Sequence, residues 1–286
     1  MRLVHLSDIH HQLDWRGRAL WSTGWRGAPG RFELQALGRL ARFAGAEAQL
    51  DQLLDDLHAL SPDHVLLSGD LTALGHDDEL GRVQELLSPL LRDGRLSLVP
   101  GNHDRYTDGA GRARFERHFG EAMRSELPEL ADERGYPYVR FLGASAALVG
   151  LDSTSVRGWT HYFFGRLGKA QLAALGEVLD HPAMADRTVL VMLHHGPLGP
   201  HGRPDWRESG LLDARELMQV LAGRRVVLQH GHSHHRFWHR AKGDRPHIFG
   251  GGSSTEPGRA GYWVVEVDDH RCLEGRRYLP GRKPVD

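Results

Sequence analysis

The chain has 286 residues, with 36 Lys and Arg against 37 Asp and Glu, a net charge of -1, 40 % hydrophobic and 26 % charged residues. These values fit a folded globular chain of one large or two small domains and exclude a disordered one, while the near-zero charge argues against a dedicated nucleic-acid binder. A single cysteine, Cys272, excludes a disulfide framework and every Cys-rich zinc module. There are 20 histidines, several in tight groups: His10 and His11, His194 and His195, and His230, His232, His234, His235 and His239. Histidine is the commonest metal ligand, so a metal site built from N and O ligands is the first expectation. Residues 1–7 (MRLVHLS) are too short and polar for a signal-peptide core, and no run of about 18 apolar residues spans a membrane. A soluble, cytoplasmic protein is expected, in agreement with the lone thiol.

Taken along the chain, short apolar runs alternate with amphipathic helical patterns. Leu3, Val4 and Leu6 open with a strand that ends at Ser7-Asp8. Residues 46–60 place Leu50, Leu53, Leu54, Leu57 and Leu60 on one helical face, and Ser61-Pro62 stops them. A buried strand at 64–68 ends at Gly69-Asp70. Residues 77–92 repeat the helical pattern with Leu80, Val83, Leu86, Leu87, Leu90 and Leu91. The strand at 96–99 ends at Pro100-Gly101. One helix is expected around Phe115 and Phe119. Residues 138–142 and 146–151 read as a hairpin about Gly143-Ala144. Then come a helix at 167–179, a strand at 188–193, a helix at 213–221 and a strand at 225–229. From about residue 245 the pattern is β-only, at 247–249, 262–267 and 276–279, which predicts a second sheet or antiparallel edge strands. No repeat or linker divides the chain, so residues 1–286 are read as a single domain.

Polar residues of one chemical kind recur at the C-terminal ends of these strands: Asp8-Ile9-His10, Gly69-Asp70, Gly101-Asn102-His103-Asp104, His194-His195 and His230-Gly231-His232-Ser233-His234. Open α/β sheets bind ligands at strand C-termini, where residues distant in sequence converge. Carboxylate, imidazole and amide donors suit Mn, Fe, Zn, Co or Ni better than Ca. Taken singly, Asp8, Asp70 and Asn102 are ordinary turn residues. The ordered set of five blocks is what carries the inference.

These five blocks, in this order and from residue 8 to residue 234, resemble the calcineurin-like metallophosphoesterase superfamily, with the cyclic-nucleotide phosphodiesterase-like branch fitting size and motif set best. The resemblance implies an α/β fold, a four-layer α/β/β/α sandwich with two mixed β-sheets flanked by helices. It implies two divalent or trivalent metal ions. Asp70 would bridge them, Asp8, His10 and His234 would complete one site, and Asn102, His194 and His232 the other. His103 would face the substrate phosphate, with Asp104 orienting it. The implied reaction is phosphodiester hydrolysis by in-line attack of a metal-bridging hydroxide, with cyclic nucleotides as one substrate class. A lipid-linked nucleotide or phospholipid is the alternative substrate, and a non-catalytic binding scaffold is the alternative of another class.

Other histidines have quieter readings. His195 competes with His194 for one ligand position, and the family pattern favours His194. His230 is read as packed, His235 and His239 as solvated loop residues, and His11 as either a loop residue or a substrate contact. Asp152, which ends the strand at 146–151, is read as a turn cap or a neighbour of the site. Two positions depart from the family pattern: Gly196-Pro197 follows the His pair where many relatives have two prolines, and His11 stands where an apolar residue is usual. Residues 11–45 form an insert with Trp15, Trp21, Trp25 and Arg16, Arg18, Arg26, Arg31, Arg39 and Arg42. It is read either as a cap on the sheet edge or as a lid that touches substrate or a membrane surface.

Overall fold

The computed structural model describes residues 1–14, 38–105, 111–154, 163–204, 210–267 and 273–281. Trp15, Trp21 and Trp25 of the insert, with Arg16, Arg18, Arg26 and Arg31, lie outside the described residues.

The first sheet holds five strands in the order β11-β10-β1-β2-β3. They are β1 (Arg2–Leu6), β2 (His64–Leu67), β3 (Leu96–Leu98), β10 (Tyr262–Val267) and β11 (Leu273–Tyr278). β1, β2 and β3 are parallel, while β10 runs antiparallel to β1 and to β11. The second sheet holds six, ordered β4-β5-β6-β7-β9-β8. They are β4 (Tyr138–Leu142), β5 (Ala146–Gly150), β6 (Thr188–Met192), β7 (Val226–His230), β8 (Arg236–His239) and β9 (His247–Gly251). β5, β6, β7 and β9 are parallel, with β4 and β8 antiparallel at the edges.

Alternation along the second sheet shows how the layers pack. Ala146, Leu148, Leu190, Met192, Val227 and Phe249 join the cluster shared with Leu3, Leu6 and Leu66 of the first sheet. Ala147, Val149, Val189, Val191, Leu228 and Ile248 point the other way, against Leu172, Leu175 and Leu217 of the outer helices. Both faces are buried, which is why these strands read as unbroken apolar runs. Two polar contacts tie the sheets together: Tyr138 donates its hydroxyl hydrogen to Leu98 O at 2.8 Å, and Trp263 Nε1–H to Gly250 O at 2.9 Å.

The helices are α1 (Arg39–Arg42), α2 (Ala46–Leu60), α3 (Asp77–Leu86), α4 (Ser88–Arg92), α5 (Gly111–Phe119), α6 (Lys169–Asp180) and α7 (Ala214–Leu221). α2 buries Leu50, Leu53 and Leu57 and stops at Ser61, whose φ of 45° lets its N–H reach Leu57 O. The helix expected over 77–92 is two helices. Pro89 has no N–H to give and its ring crowds the preceding turn, so α3 closes at Leu86 and α4 restarts with Pro89 in its first turn. α3 begins with a capping box in which Glu79 turns back to the His76 backbone. Glu79 also accepts from Leu74 N at 2.9 Å, so this cap braces the loop beside Ala73.

The C-terminal tail takes the second of its two expected forms: it makes no sheet of its own, and β10 and β11 are antiparallel strands that complete one edge of the first sheet, while β9 pairs parallel to β7 within the second. β8 was not expected, because its half-buried Arg-Phe-Trp-His sequence carries no clean alternation and pairs on one side only. His239 therefore sits in an edge strand, 3.0 Å from Gly199 O, rather than in a solvated loop; His235 is exposed as expected. No helix among the described residues is long and apolar enough to cross a membrane.

His64 opens β2 at 5 % exposure, with Nε2 2.9 Å from Ser97 Oγ. Burial, with Arg140 and Arg95 nearby, lowers its pKa to about 4. The folded protein therefore holds this ring neutral where the unfolded chain, near 6.5, already binds a proton. The stability it contributes is complete above pH 6.5 and is lost as pH falls toward 4, by about 3 kcal/mol in all. Urea unfolding of wild type and His64→Gln at pH 4, 5, 6 and 7 should show the variant less sensitive to acid; parallel curves would contradict this.

Candidate metal centre

All seven expected ligands lie at the C-terminal ends of parallel strands. β1 delivers Asp8 and His10, β2 Asp70, β3 Asn102, β6 His194, and β7 His232 and His234. The two sheets bring these ends together. The backbone there is unusual. Six described non-glycine residues have positive φ, and five are Asp8 (52°), His10 (51°), Asp70 (53°), His232 (68°) and His234 (53°). Left-handed backbone costs a side-chain-bearing residue about 1–2 kcal/mol and persists only where surrounding contacts enforce it. Here the gain is direction: it turns each donor inward at the end of its strand. The glycines fit for a different reason. A Cβ at Gly101 would sit on the Asp70 carboxylate, and one at Gly231 on Ser7 and Asp8.

Asp70 is the hub, at 2 % exposure. Its Oδ2 lies 3.3 Å from His194 Nε2, 3.8 Å from His10 Nε2 and 3.9 Å from His103 Nε2. Its Oδ1 accepts the His103 amide at 2.9 Å. On one side, Asp8 Oδ1 is 3.3 Å from His234 Nε2 and 3.8 Å from His10 Nε2, and the two ring nitrogens are 3.0 Å apart. On the other, Asn102 Oδ1 is 3.1 Å from His194 Nε2 and 3.2 Å from His232 Nδ1. Asp8, His10 and His234 form one donor cluster, and Asp8, Asp70 and His194 another, with all ligand atoms of each within 4.8 Å. His194, His195 and His232, and His10, Asp70 and His103, also cluster in this way.

The donor chemistry fits metal ions. His194 Nδ1–H donates to Ser68 O at 2.8 Å, which leaves the Nε2 lone pair facing Asp70 and Asn102. Burial lowers the His194 pKa, but Asp70, with Asp8 and the Ser68 carbonyl, outweighs it and raises it to about 9, so the surroundings favour positive charge at this ring. Burial pushes the Asp8 carboxyl up, yet His234, His194 and the Ser7 hydroxyl outweigh it and hold it at about 2. Converging carboxylates and imidazole nitrogens at van der Waals separation need a cation or shared protons between them.

Asp104 is placed differently from expectation, while His103 lies at the edge of the centre, its Nε2 3.9 Å from Asp70 Oδ2. Both are buried in a short 3-10 turn, His103–Arg105. The ring of His103 is held by Ala73 O, 2.9 Å from Nδ1. Asp104 turns away: Oδ1 accepts from Thr72 N (3.0 Å) and Thr72 Oγ1 (2.9 Å), and Oδ2 from Gly101 N (2.9 Å). Asp104 thus locks the loop after β2 to the loop after β3 and acts on His103 only through the backbone. Burial, then the Asp70 charge, push its carboxyl up to about 7 against those donors.

The remaining histidines separate by contact. His195 is fully buried, its Nδ1 2.8 Å from Ser153 Oγ, and burial together with His232 and His194 keeps it neutral. His230 is buried against Gly196 and 3.1 Å from Gly231 O. His11 pairs with Glu47 at 3.0 Å. Asp152 binds Arg105 Nη1 at 2.8 Å and caps Thr154 N at 2.8 Å. Two neighbours of the site went unread in the sequence. Arg105, directly after Asp104, offered only its position as a signal. Glu256, 2.7 Å from His234 Nδ1, offered none, because it lies in a Gly/Ser-rich loop far along the chain.

Sequence and fold comparisons agree. No curated protein matches the chain. The structure of a dimetal phosphatase from Danio rerio superposes with a TM-score of 0.58 at 15 % identity, covering 97 % of this chain and 94 % of that one. A putative 5'-nucleotidase from Staphylococcus aureus (TM-score 0.53, 15 % identity) and the sulfate thiohydrolase SoxB from Thermus thermophilus (0.56, 18 %) each cover 98 % of this chain, which spans 54 % and 56 % of theirs. At such identities the likeness is one of fold. The model of the calcineurin-like phosphoesterases matches residues 1–236, which include every strand-end block. The chain belongs to the calcineurin-like phosphoesterase family.

Proposed function

We propose that the protein is a binuclear metal-dependent phosphodiesterase. The observation that carries this reading is Asp70, whose carboxylate stands between two donor sets, Asp8, His10 and His234 on one side and Asn102, His194 and His232 on the other. Mn, Fe, Zn, Co and Ni all suit such mixed donors. Ions bound there supply positive charge for the phosphoryl oxygens and a nucleophile at neutral pH. The chain's own residues do the rest. His103, anchored through Nδ1 to Ala73 O, holds a proton at Nε2 for the leaving oxygen. Asp104 keeps the loops of Asp70 and Asn102 in register. Neutral, buried His195 closes the floor beside His194 and His232 with ring centroids 4.9 and 4.4 Å away.

A second reading is hydrolysis of a lipid-linked nucleotide or phospholipid. What favours it is Phe163 and Leu212, the two exposed large hydrophobic residues among those described. They sit on segments joined by Gly165 N to Gly210 O and Leu212 N to Gly165 O. A Cβ on Gly210 would touch both Phe163 O and His232 Nε2, so this pair of segments flanks the site. Mn-loaded enzyme should be assayed side by side on cyclic AMP, an aryl phosphodiester, an aryl phosphomonoester and a nucleotide-diphosphate lipid. The first reading expects the cyclic or aryl diester to turn over fastest. A clear preference for the lipid selects the second, a preference for the monoester contradicts both, and no hydrolysis restores the scaffold alternative.

A further inference from the structure

Beyond the seven ligands, His103 and Asp104, a further buried carboxylate touches the site. Glu256 is 5 % exposed and lies beyond the residues that match the family. Its loop, residues 252–256, is stitched to the turn that follows β1. Ser253 Oγ–H donates to Asp8 O at 2.7 Å and Thr255 Oγ1–H to Ile9 O at 2.5 Å. Ser254 N donates to Ser7 O at 2.8 Å, and Ser7 N to Ser254 Oγ at 3.0 Å. The Glu256 amide donates to Ser253 Oγ at 3.0 Å, so the residue is fixed relative to Asp8 and His10.

From that position the carboxylate makes two further contacts. Oε2 is 2.7 Å from His234 Nδ1, and Oε1 accepts from Arg42 Nη2 at 2.5 Å. Arg42 ends α1, at the close of the insert. The next residue, Phe43, packs its buried ring against His10 (centroids 4.6 Å) and His234 (5.9 Å). The end of the insert and the 252–256 loop therefore meet on one ligand of one donor set.

Resting on the two-ion reading, we infer that Glu256 is a positioning residue for His234, anchored by Arg42, and that this Arg42–Glu256–His234 chain sets how tightly the Asp8, His10 and His234 set holds its ion. The physical reason is the tautomer. With Nδ1–H donated to a carboxylate, the ring must present the Nε2 lone pair toward Asp8 Oδ1 and His10 Nε2, and the nearby negative charge raises its basicity. Partners of this kind are worth about 10–100-fold in metal affinity. The effect is selective for one ion, which a merely structural ion pair would not be.

The test is stepwise metal release from Mn-loaded full-length protein. Bound Mn is counted by elemental analysis after equilibration with graded chelator, and folding is followed by near-ultraviolet circular dichroism. In wild type two ions are expected. In Glu256→Ala one of them should leave at roughly 10–100-fold lower chelator strength while the other keeps its wild-type release point. Glu256→Gln keeps an acceptor for Nδ1–H without the charge and should fall between. Arg42→Gln, at an exposed side chain, should shift the same ion in the same direction by less. Unchanged release in folded Glu256→Ala, or loss of both ions together, overturns the inference. If Glu256→Ala fails to fold, Arg42→Gln decides: unchanged release overturns the inference, and selective loss of one ion supports it. Fewer than two ions in wild type would instead overturn the two-ion reading, and this inference with it.

Discussion

Asp70→Asn is expected to release both metal ions and abolish turnover. The Asp70 carboxylate faces both donor sets. Oδ2 is 3.3 Å from His194 Nε2 and 3.8 Å from His10 Nε2, and the residue is almost fully buried. An amide there has one oxygen and no charge, and its NH2 cannot accept from a ligand or bind a cation. It also removes the negative charge that favours a cation beside His194. Phosphodiester turnover should fall by roughly 10³-fold or more, equivalent to about 4 kcal/mol of transition-state charge stabilisation. Elemental analysis of the purified variant should find neither ion retained through dialysis. Two tightly held ions in Asp70→Asn would contradict the bridging role.

His103→Ala should separate chemistry from metal binding. The His103 ring points its Nε2 to the edge of the centre, 3.9 Å from Asp70 Oδ2, farther than His10 or His194. Its backbone amide, which holds Asp70 Oδ1, survives the substitution. Both ions should therefore stay, while turnover falls about 10²–10⁴-fold through loss of the proton donor. The loss should be smaller for substrates with better leaving groups, which need less protonation. His103 also belongs to a donor cluster with His10 and Asp70. If the variant binds one ion fewer, the residue is a ligand and the proton-donor role fails.

Much of this centre is legible in the sequence because the strands that lead to it are largely apolar and each is followed by a polar block. The residues that interrupt them, Asp8, Asp70, Asn102, His194, His232 and His234, mark where each strand leaves the core. Less legible is how they point. The positive φ at Asp8, His10, Asp70, His232 and His234 breaks local preference, and only the assembled loops enforce it. Asp104 shows a second limit, since neighbours in a 3-10 turn need not share partners, and it reaches Thr72 and Gly101 instead of the ring beside it. Pro89 did announce the break between α3 and α4, but the leucine periodicity ran through it. Glu256 and Arg42 are 214 positions apart and meet only because β10 returns the chain to the side of β1. Local pattern carries no trace of such a pairing.

The site is tested most directly by diffraction from Mn-soaked crystals at a wavelength that reveals manganese. Two anomalous peaks are predicted, both within coordination distance of the Asp70 carboxylate, about 2.0–2.2 Å. One should also contact Asp8, His10 and His234, and the other Asn102, His194 and His232. A single peak, or a peak ligated by His195 or His103 in place of these residues, would contradict it.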